Sequence, residues 1–328
     1  VKRQTLAFIF SLLLLVTFIG AAPHIGAAIF SHRAPIPQAP LPRPVRFRET
    51  RARGLLLQAW VNGVGPYTFA LDTGAGAIIL SPRVASEAQV ARMGRRVKIA
   101  WFDGRRSIFG EYARLRSLAV GDPDNRLPAQ GTTIIAALPE GVDGLLDPTE
   151  GYWPLGYIID MPRDELGAFD PRREAIESGG TEATILRWLP DREGRRPFVQ
   201  LADGRPALLD TGSRFGLALS RVAARAMGIV IDAPREARVL RLAPMTLELG
   251  SLVLRNVPTD LIVDADEQTP ILLGREALRP FRLLFDPQKR LIRIDLPRKG
   301  RSAQDHSRIN AAGTRTASSS SGGPNISG

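Results

Sequence analysis

Two short triplets stand out as the chemistry-bearing residues of this chain, Asp72-Thr73-Gly74 and Asp210-Thr211-Gly212. Each ends a largely apolar run, Tyr67–Leu71 in the first case and Pro206–Leu209 in the second. An Asp at a strand end, with small residues after it, projects from a tight turn. The backbone N–H groups that follow can reach its oxygens, because Gly permits close approach. Two such turns facing each other would set two carboxylates in contact. They cannot both ionise cheaply, so they share one proton and titrate as a unit. One carboxylate can then take a proton from water while the other donates to a carbonyl oxygen. That is amide hydrolysis without Ser, Cys, His or metal.

The composition leaves room for little else. Among 328 residues there is no Cys, which removes thiol nucleophiles, zinc–thiolate sites and disulfides. The three histidines, His24, His32 and His306, lie near the chain ends. The middle therefore has no imidazole for a Ser-His-Asp triad, a His-ligated zinc or a His general base. Carboxylates, Lys, Tyr or an oxygen-ligated metal remain, and we expect no metal and no other cofactor. The formal charge of +11 comes from 44 Lys and Arg against 33 Asp and Glu. Residues 1–53 carry +7 of it and residues 298–328 carry +4, so residues 54–297 are neutral. Aromatic and basic residues are not interleaved as in nucleic-acid modules, and no nucleic-acid partner is expected.

The elements that must position the two Asp residues recur as an internal repeat. Asp72-Thr-Gly leads through Ala-Ile-Ile-Leu to Ser81, then Arg83-Val84-Ala85 and, later, Met93-Gly94. Asp210-Thr-Gly leads through Leu-Ala-Leu to Ser220, then Arg221-Val222-Ala223 and Met227-Gly228. Each copy reads as strand, triplet, strand, a Ser helix cap and a short helix ending near Met-Gly. Leu145-Leu146 recurs as Leu272-Leu273, and Phe169-Asp170-Pro171 as Phe285-Asp286-Pro287. The copies are each about a hundred residues, the usual size of a domain. Asn62-Gly63 predicts a hairpin turn after strand Leu55–Val61. Val97–Trp101 and Ser107–Leu115 predict a second hairpin around Asp103-Gly104, and Thr246–Leu254 and Leu261–Val263 predict strands of the second copy. Long helices are not evident, so the fold class is all-β with short helices.

In these triplets and their repeat the chain resembles aspartic peptidases of the pepsin and retropepsin superfamily, over roughly residues 54–297. Asp-Thr-Gly after two apolar residues should arise by chance on the order of 0.01–0.03 times in this length, so two copies within a wider repeat are not coincidence. The resemblance implies a bilobal acid-protease fold with an internal pseudo-twofold, a cleft between lobes and an activated water as nucleophile. It makes Asp72 and Asp210 the catalytic dyad. It implies that Thr73 and Thr211 tie the two loops together, that Gly74 and Gly212 donate backbone N–H groups to the carboxylates, and that Ser213 bonds the outer oxygen of Asp210. Family members cover the cleft with a hairpin flap from the first lobe. The Val97–Leu115 hairpin lies in that interval, with Trp101, Phe102 and Tyr112 either facing substrate or packed in the core. No similar hairpin is expected before Leu273, so the flap should be asymmetric. One departure is plain. The family has Gly after the later apolar pair, as in Leu272-Leu273-Gly274, whereas Leu145-Leu146 precedes Asp147. We expect a surface acid there, after a slightly different turn. The activity implied is that of an aspartic endopeptidase on protein or peptide substrate, working as a monomer because one chain supplies both Asp residues. The alternative is a non-catalytic peptide-binding module on the same scaffold.

The ends differ in character. Lys2-Arg3 precedes the apolar run Leu6–Ala22, the order of a secretory signal, and that run is also just long enough to span a bilayer as a helix. Residues 1–30 are therefore a signal peptide or a membrane anchor, and the protein is expected to be exported, periplasmic and tethered to the membrane through this segment, or secreted after cleavage. Residues 31–53 read as a Pro/Arg-rich linker, 54–178 and 179–297 as the two lobes, and 298–328 as a disordered Ser/Gly/Thr-rich tail.

Overall fold

In the computed structural model, the described residues are 40–100, 107–129, 131–176, 183–190, 196–231, 238–265 and 269–295. The hairpin foreseen at Asn62-Gly63 forms. Gly54–Val61 runs antiparallel to Val64–Leu71, and Asn62 and Gly63 take φ of 52° and 85°, as a twist-matched two-residue turn requires. Leu55, Leu56 and Leu57 are all buried, so this strand is covered on both faces of its sheet.

The strands form three sheets among the described residues. The first-half sheet runs in the order Arg48–Thr50, Gly54–Val61, Val64–Leu71, Gly144–Leu146, Ile79–Leu80, Gly131–Ile135, Ser107–Leu115, Ala91–Ala100. The second-half sheet runs Phe198–Gln200, Pro206–Leu209, Ile271–Leu273, Leu217–Ser220, Leu252–Ile262, Val239–Leu249. The centre of each is the same device. Gly144–Leu146 lies parallel to Val64–Leu71 and antiparallel to Ile79–Leu80. Ile271–Leu273 lies parallel to Pro206–Leu209 and antiparallel to Leu217–Ser220. The sequence repeat is therefore a repeat of topology, and the apolar pairs are the central strands that hold the two Asp-bearing strands.

The third sheet joins the halves. Its order is Val45–Arg46, Glu165–Phe169, Gly156–Asp160, Arg282–Asp286, Leu291–Asp295, Ala183–Arg187. Gly156–Asp160 of the first half pairs antiparallel with Arg282–Asp286 of the second. The two Phe-Asp-Pro segments end strands of this sheet, and Asp170 and Asp286 accept from the N–H groups of Arg172 and Gln288 in the turns that follow.

One apolar cluster contains Leu71, Leu80 and Leu146 together with Leu209, Leu219 and Leu273, all fully buried. Each such Leu contributes about 2 kcal/mol of burial free energy. The opposite face of each central sheet carries a smaller cluster. In the first half it includes Ile79, Ile134 and Ala136, with Val97, Ile99, Ile108 and Tyr112 against them. In the second it is Leu208, Ala218, Ile262 and Leu272, with Phe198 and Phe215.

Four expectations need correction. Residues 45–50 are not linker: Val45–Arg46 and Arg48–Thr50 are strands, and Val45 and Phe47 are buried. Proline density upstream hid two apolar residues at alternate positions. Thr246–Leu254 is not one strand, because Gly250, at φ 58°, turns the chain between Val239–Leu249 and Leu252–Ile262. That hairpin also stands where none was expected before Leu273. Its strand Leu252–Ile262 itself runs parallel to Leu217–Ser220, whereas in the first half the separate strand Gly131–Ile135 takes that place beside Ile79–Leu80. The first half thus has one more strand at this edge, Ala91–Ala100, and the asymmetry lies there. Finally, the first short helix, Pro82–Glu87, ends before Met93-Gly94, which lies in a strand. The second, Arg221–Ala226, does end at Met227-Gly228. Ser81 and Ser220 cap them by accepting from the N–H groups of Val84 and Ala223.

No helix among the described residues is long and apolar enough to cross a membrane. Leu6–Ala22 and the 298–328 tail lie outside the described residues.

Candidate active site

Each candidate Asp stands just past its strand and is fixed through its main chain. Asp72 N–H donates to Leu146 O at 2.9 Å, and Asp210 N–H donates to Leu273 O at 2.8 Å. The side chains are held alike. Gly74 N–H donates to Asp72 Oδ1 at 2.8 Å, and Gly212 N–H to Asp210 Oδ1 at 2.8 Å. Ser213 bonds Asp210 as well, but through its backbone N–H at 3.1 Å, not through its hydroxyl. The Ser213 Oγ instead accepts from Phe215 N–H at 3.4 Å. The tight turn brings the amide, not the side chain, to the carboxylate.

The two loops interlock. Thr73 Oγ1 donates to Leu209 O at 2.7 Å and accepts from Thr211 N–H at 3.0 Å. Thr211 Oγ1 accepts from Thr73 N–H at 3.2 Å and donates to Leu71 O at 3.4 Å. Both Thr side chains are fully buried, so these four bonds satisfy polar groups that bulk solvent does not reach.

The interlock brings the carboxylates together across the halves. A Cβ added to Gly212 would lie 2.4 Å from Asp72 Cγ, and one added to Gly74 would lie 2.9 Å from Asp210 Cγ. Each Gly is therefore needed for the other half's Asp. Burial raises the pKa of Asp72, opposed by the Gly74 N–H and by the neighbouring Asp210 carboxyl. Burial raises that of Asp210 well above the usual carboxylate range, and the charge of Asp72 raises it further. Two carboxyls this close and this buried titrate as a coupled pair, and both are shifted toward the protonated form.

Asp147 differs from its expected setting. It is 1% exposed, not a surface acid, and it caps the helix Pro148–Tyr152 by accepting from the N–H groups of Thr149 and Glu150. Its pKa is pushed up to about 8, first by burial, then by Glu150, with Asp72 adding to the shift. At the matching position, a Cβ on Gly274 would lie 2.4 Å from Phe215 O. Only the first half leaves room for a side chain there. The backbone support of Asp72 by Leu146 is nonetheless equal to that of Asp210 by Leu273.

Of the aromatics expected in a flap, Trp101 and Phe102 lie outside the described residues, as does the Asp103-Gly104 turn. Tyr112 is half-buried, packs with the Ile79 and Ile134 cluster and lies 5.1 Å beneath the Arg95 guanidinium. The strands that carry the hairpin do pair, with Val97 opposite Gly110 and Ile99 opposite Ile108.

One residue of the site was missed from sequence. Arg275 is 3% exposed, and its Nη1 donates to Thr211 O at 3.1 Å and to Gly212 O at 2.9 Å. Its Nε donates to Glu49 Oε1 at 3.2 Å, and Arg279 pairs with the other Glu49 oxygen at 3.4 Å. The guanidinium holds the carbonyl side of the second loop and its charge lowers the pKa of Asp72. The only signal was an Arg two residues after the apolar pair Leu272-Leu273.

The fold and site define an all-β protein with two interlocked Asp-Thr-Gly loops that bring two carboxyls close together. A family model described as aspartyl protease matches residues 57–146. The match supports an aspartyl protease family and protease activity in general for this chain, and it includes Asp72 but stops short of Asp210. No curated protein matches the chain.

Proposed function

We propose that this protein is an aspartic endopeptidase whose dyad is Asp72 and Asp210. The observation that carries the reading is the approach of each carboxyl to the other loop's glycine, 2.4 Å and 2.9 Å from the missing Cβ atoms. Ionised Asp72 accepts a proton from a water placed between the carboxyls, and the water oxygen attacks the scissile carbonyl carbon. Protonated Asp210 gives its proton to the carbonyl oxygen, forming a tetrahedral diol. Collapse returns the diol proton to Asp210, the proton on Asp72 goes to the leaving nitrogen, and the C–N bond breaks. The raised pKa of Asp210 suits the acid role, and the N–H donors to both carboxyls fix their orientation.

The substrates we propose are exported proteins or peptides. Export, with the chain retained at the membrane by residues 1–30, is supported by the order of basic pair and apolar run at Lys2–Ala22. A single chain supplies both carboxyls, which supports a monomer.

Asp72→Asn and Asp210→Asn, each assayed on a peptide library with mass-spectrometric readout, test the reading. Either substitution should lower kcat/KM by about a thousandfold or more. Undiminished cleavage in either variant overturns the dyad.

A further inference from the structure

The loop that carries Asp210 also presents a cation. Its chain order is Asp210, Thr211, Gly212, Ser213, Arg214, Phe215. The backbone on both sides of Arg214 is fixed: Ser213 O accepts from Arg275 N–H at 2.9 Å, and Phe215 O accepts from Glu276 N–H at 3.3 Å. The Arg214 side chain is exposed, and its guanidinium lies 5.3 Å over the Phe215 ring. Phe215 in turn packs on the Leu208, Ala218, Ile262 and Leu272 cluster, the face of the second sheet that points away from the main core. The aromatic ring orients the cation without neutralising it.

Among the described residues some arginines are paired with carboxylates and others are not. Arg83, Arg92, Arg205, Arg241 and Arg279 all meet carboxylates. No carboxylate among the described residues pairs with Arg214, nor with Arg95 and Arg96, which also lie over aromatic rings, but Arg214 is four positions from Asp210. A second arginine touches the other loop: the Arg196 Cδ lies 3.5 Å from where a Gly76 Cβ would be, and its guanidinium lies over Phe198 of the same apolar cluster. Each Asp-bearing loop thus has an arginine beside it, and each guanidinium lies over a Phe of the same apolar cluster.

Resting on the peptidase reading, we propose that Arg214 makes the site selective for peptides with an acidic side chain close to the scissile bond. A substrate carboxylate at that place completes the missing ion pair with a fork of two parallel N–H donors. Bound substrate also shields the pair from water, which strengthens it beyond an exposed surface pair.

Three internally quenched peptides, identical except for Glu, Gln or Lys, test this with the full chain, the variable residue being moved through two positions on either side of the cleaved bond. At one of these positions wild type should favour Glu over Gln in kcat/KM by at least about fivefold, with Lys lower still. The preference should shrink as salt is raised. Arg214→Met keeps a chain over Phe215 without the charge, and its Glu-to-Gln ratio should fall to about one. Arg214→Glu should favour Lys. Equal cleavage of all three peptides by wild type, or a Glu preference unchanged in both variants, overturns the selectivity and leaves the peptidase standing. Binding of the same peptides to Asp210→Asn, followed by fluorescence anisotropy, separates the two readings. Glu-selective binding there, with no cleavage by wild type, supports the role of Arg214 and overturns the peptidase.

Discussion

Asp147 offers the sharpest test of how burial governs this site. In the unfolded chain its carboxyl titrates near 3.8, and in the folded protein near 8. Below pH about 4 the group is protonated in both states and stability is unaffected. Between there and about 8 only the unfolded chain releases the proton, so stability falls by about 1.4 kcal/mol per pH unit. At pH 7 the accumulated loss is about 4 kcal/mol, a large share of a typical folding free energy. Asp147→Asn keeps an oxygen to accept from Thr149 and Glu150 and removes the ionisation. The variant should match wild type at pH 4 and exceed it by several kcal/mol at pH 7. Urea unfolding followed by tryptophan fluorescence, at unit steps from pH 4 to 8, measures the difference. The titration of Asp210 is common to both proteins, whereas that of Asp72, whose charge contributes to the Asp147 shift, cancels only in part. Parallel stability profiles would refute the argument, because they would mean that Asp147 is hydrated or paired, not buried as a lone acid.

Arg275→Met should lower stability by about 3 kcal/mol and reduce kcat, since Thr211 O and Gly212 O lose their donor and Glu49 loses its buried partner. Arg275→Lys should recover little of either, because an ammonium cannot reproduce the fork. Both follow from urea titration beside a peptide assay. Gly212→Ala should fold, given the exposure of that residue, yet lose at least about a hundredfold in kcat/KM as its methyl displaces Asp72. The pH profile of kcat/KM should be bell-shaped. Activity rises as the first proton leaves the dyad and falls as pH passes the raised pKa of Asp210, so the alkaline limb should lie above the ordinary carboxyl range. A profile that stays flat through that limb would remove Asp210 as the acid.

Most of the site could be read in the sequence because its parts are local. The triplets, the apolar strands before them and the Leu-Leu pairs each occupy a few consecutive residues, and the repeat doubles every one of them. The structure joins them as the repeat suggested, with each Leu pair's second carbonyl accepting from an Asp N–H. What failed to show had no local signature. Val45 and Phe47 look like linker until strand Glu165–Phe169, far along the chain, supplies the pairing for Val45–Arg46. Arg275 looks like a surface charge until Glu49 and the Thr211 carbonyl surround it.

The sequence alone determined the chemistry that was available. Without Cys and without His in the middle, only carboxylates, Lys, Tyr or an oxygen-ligated metal were left for hydrolytic chemistry, and the repeat supplied one Asp per half. Only the tertiary structure decided which groups surround that pair. It buried Asp147, set the Arg275 guanidinium where its charge lowers the pKa of Asp72, and left Arg214 exposed on the Asp210 loop. Burial, neighbouring charge and the reach of a guanidinium depend on distances between segments remote in the chain, and those distances exist only once the two halves have folded against each other.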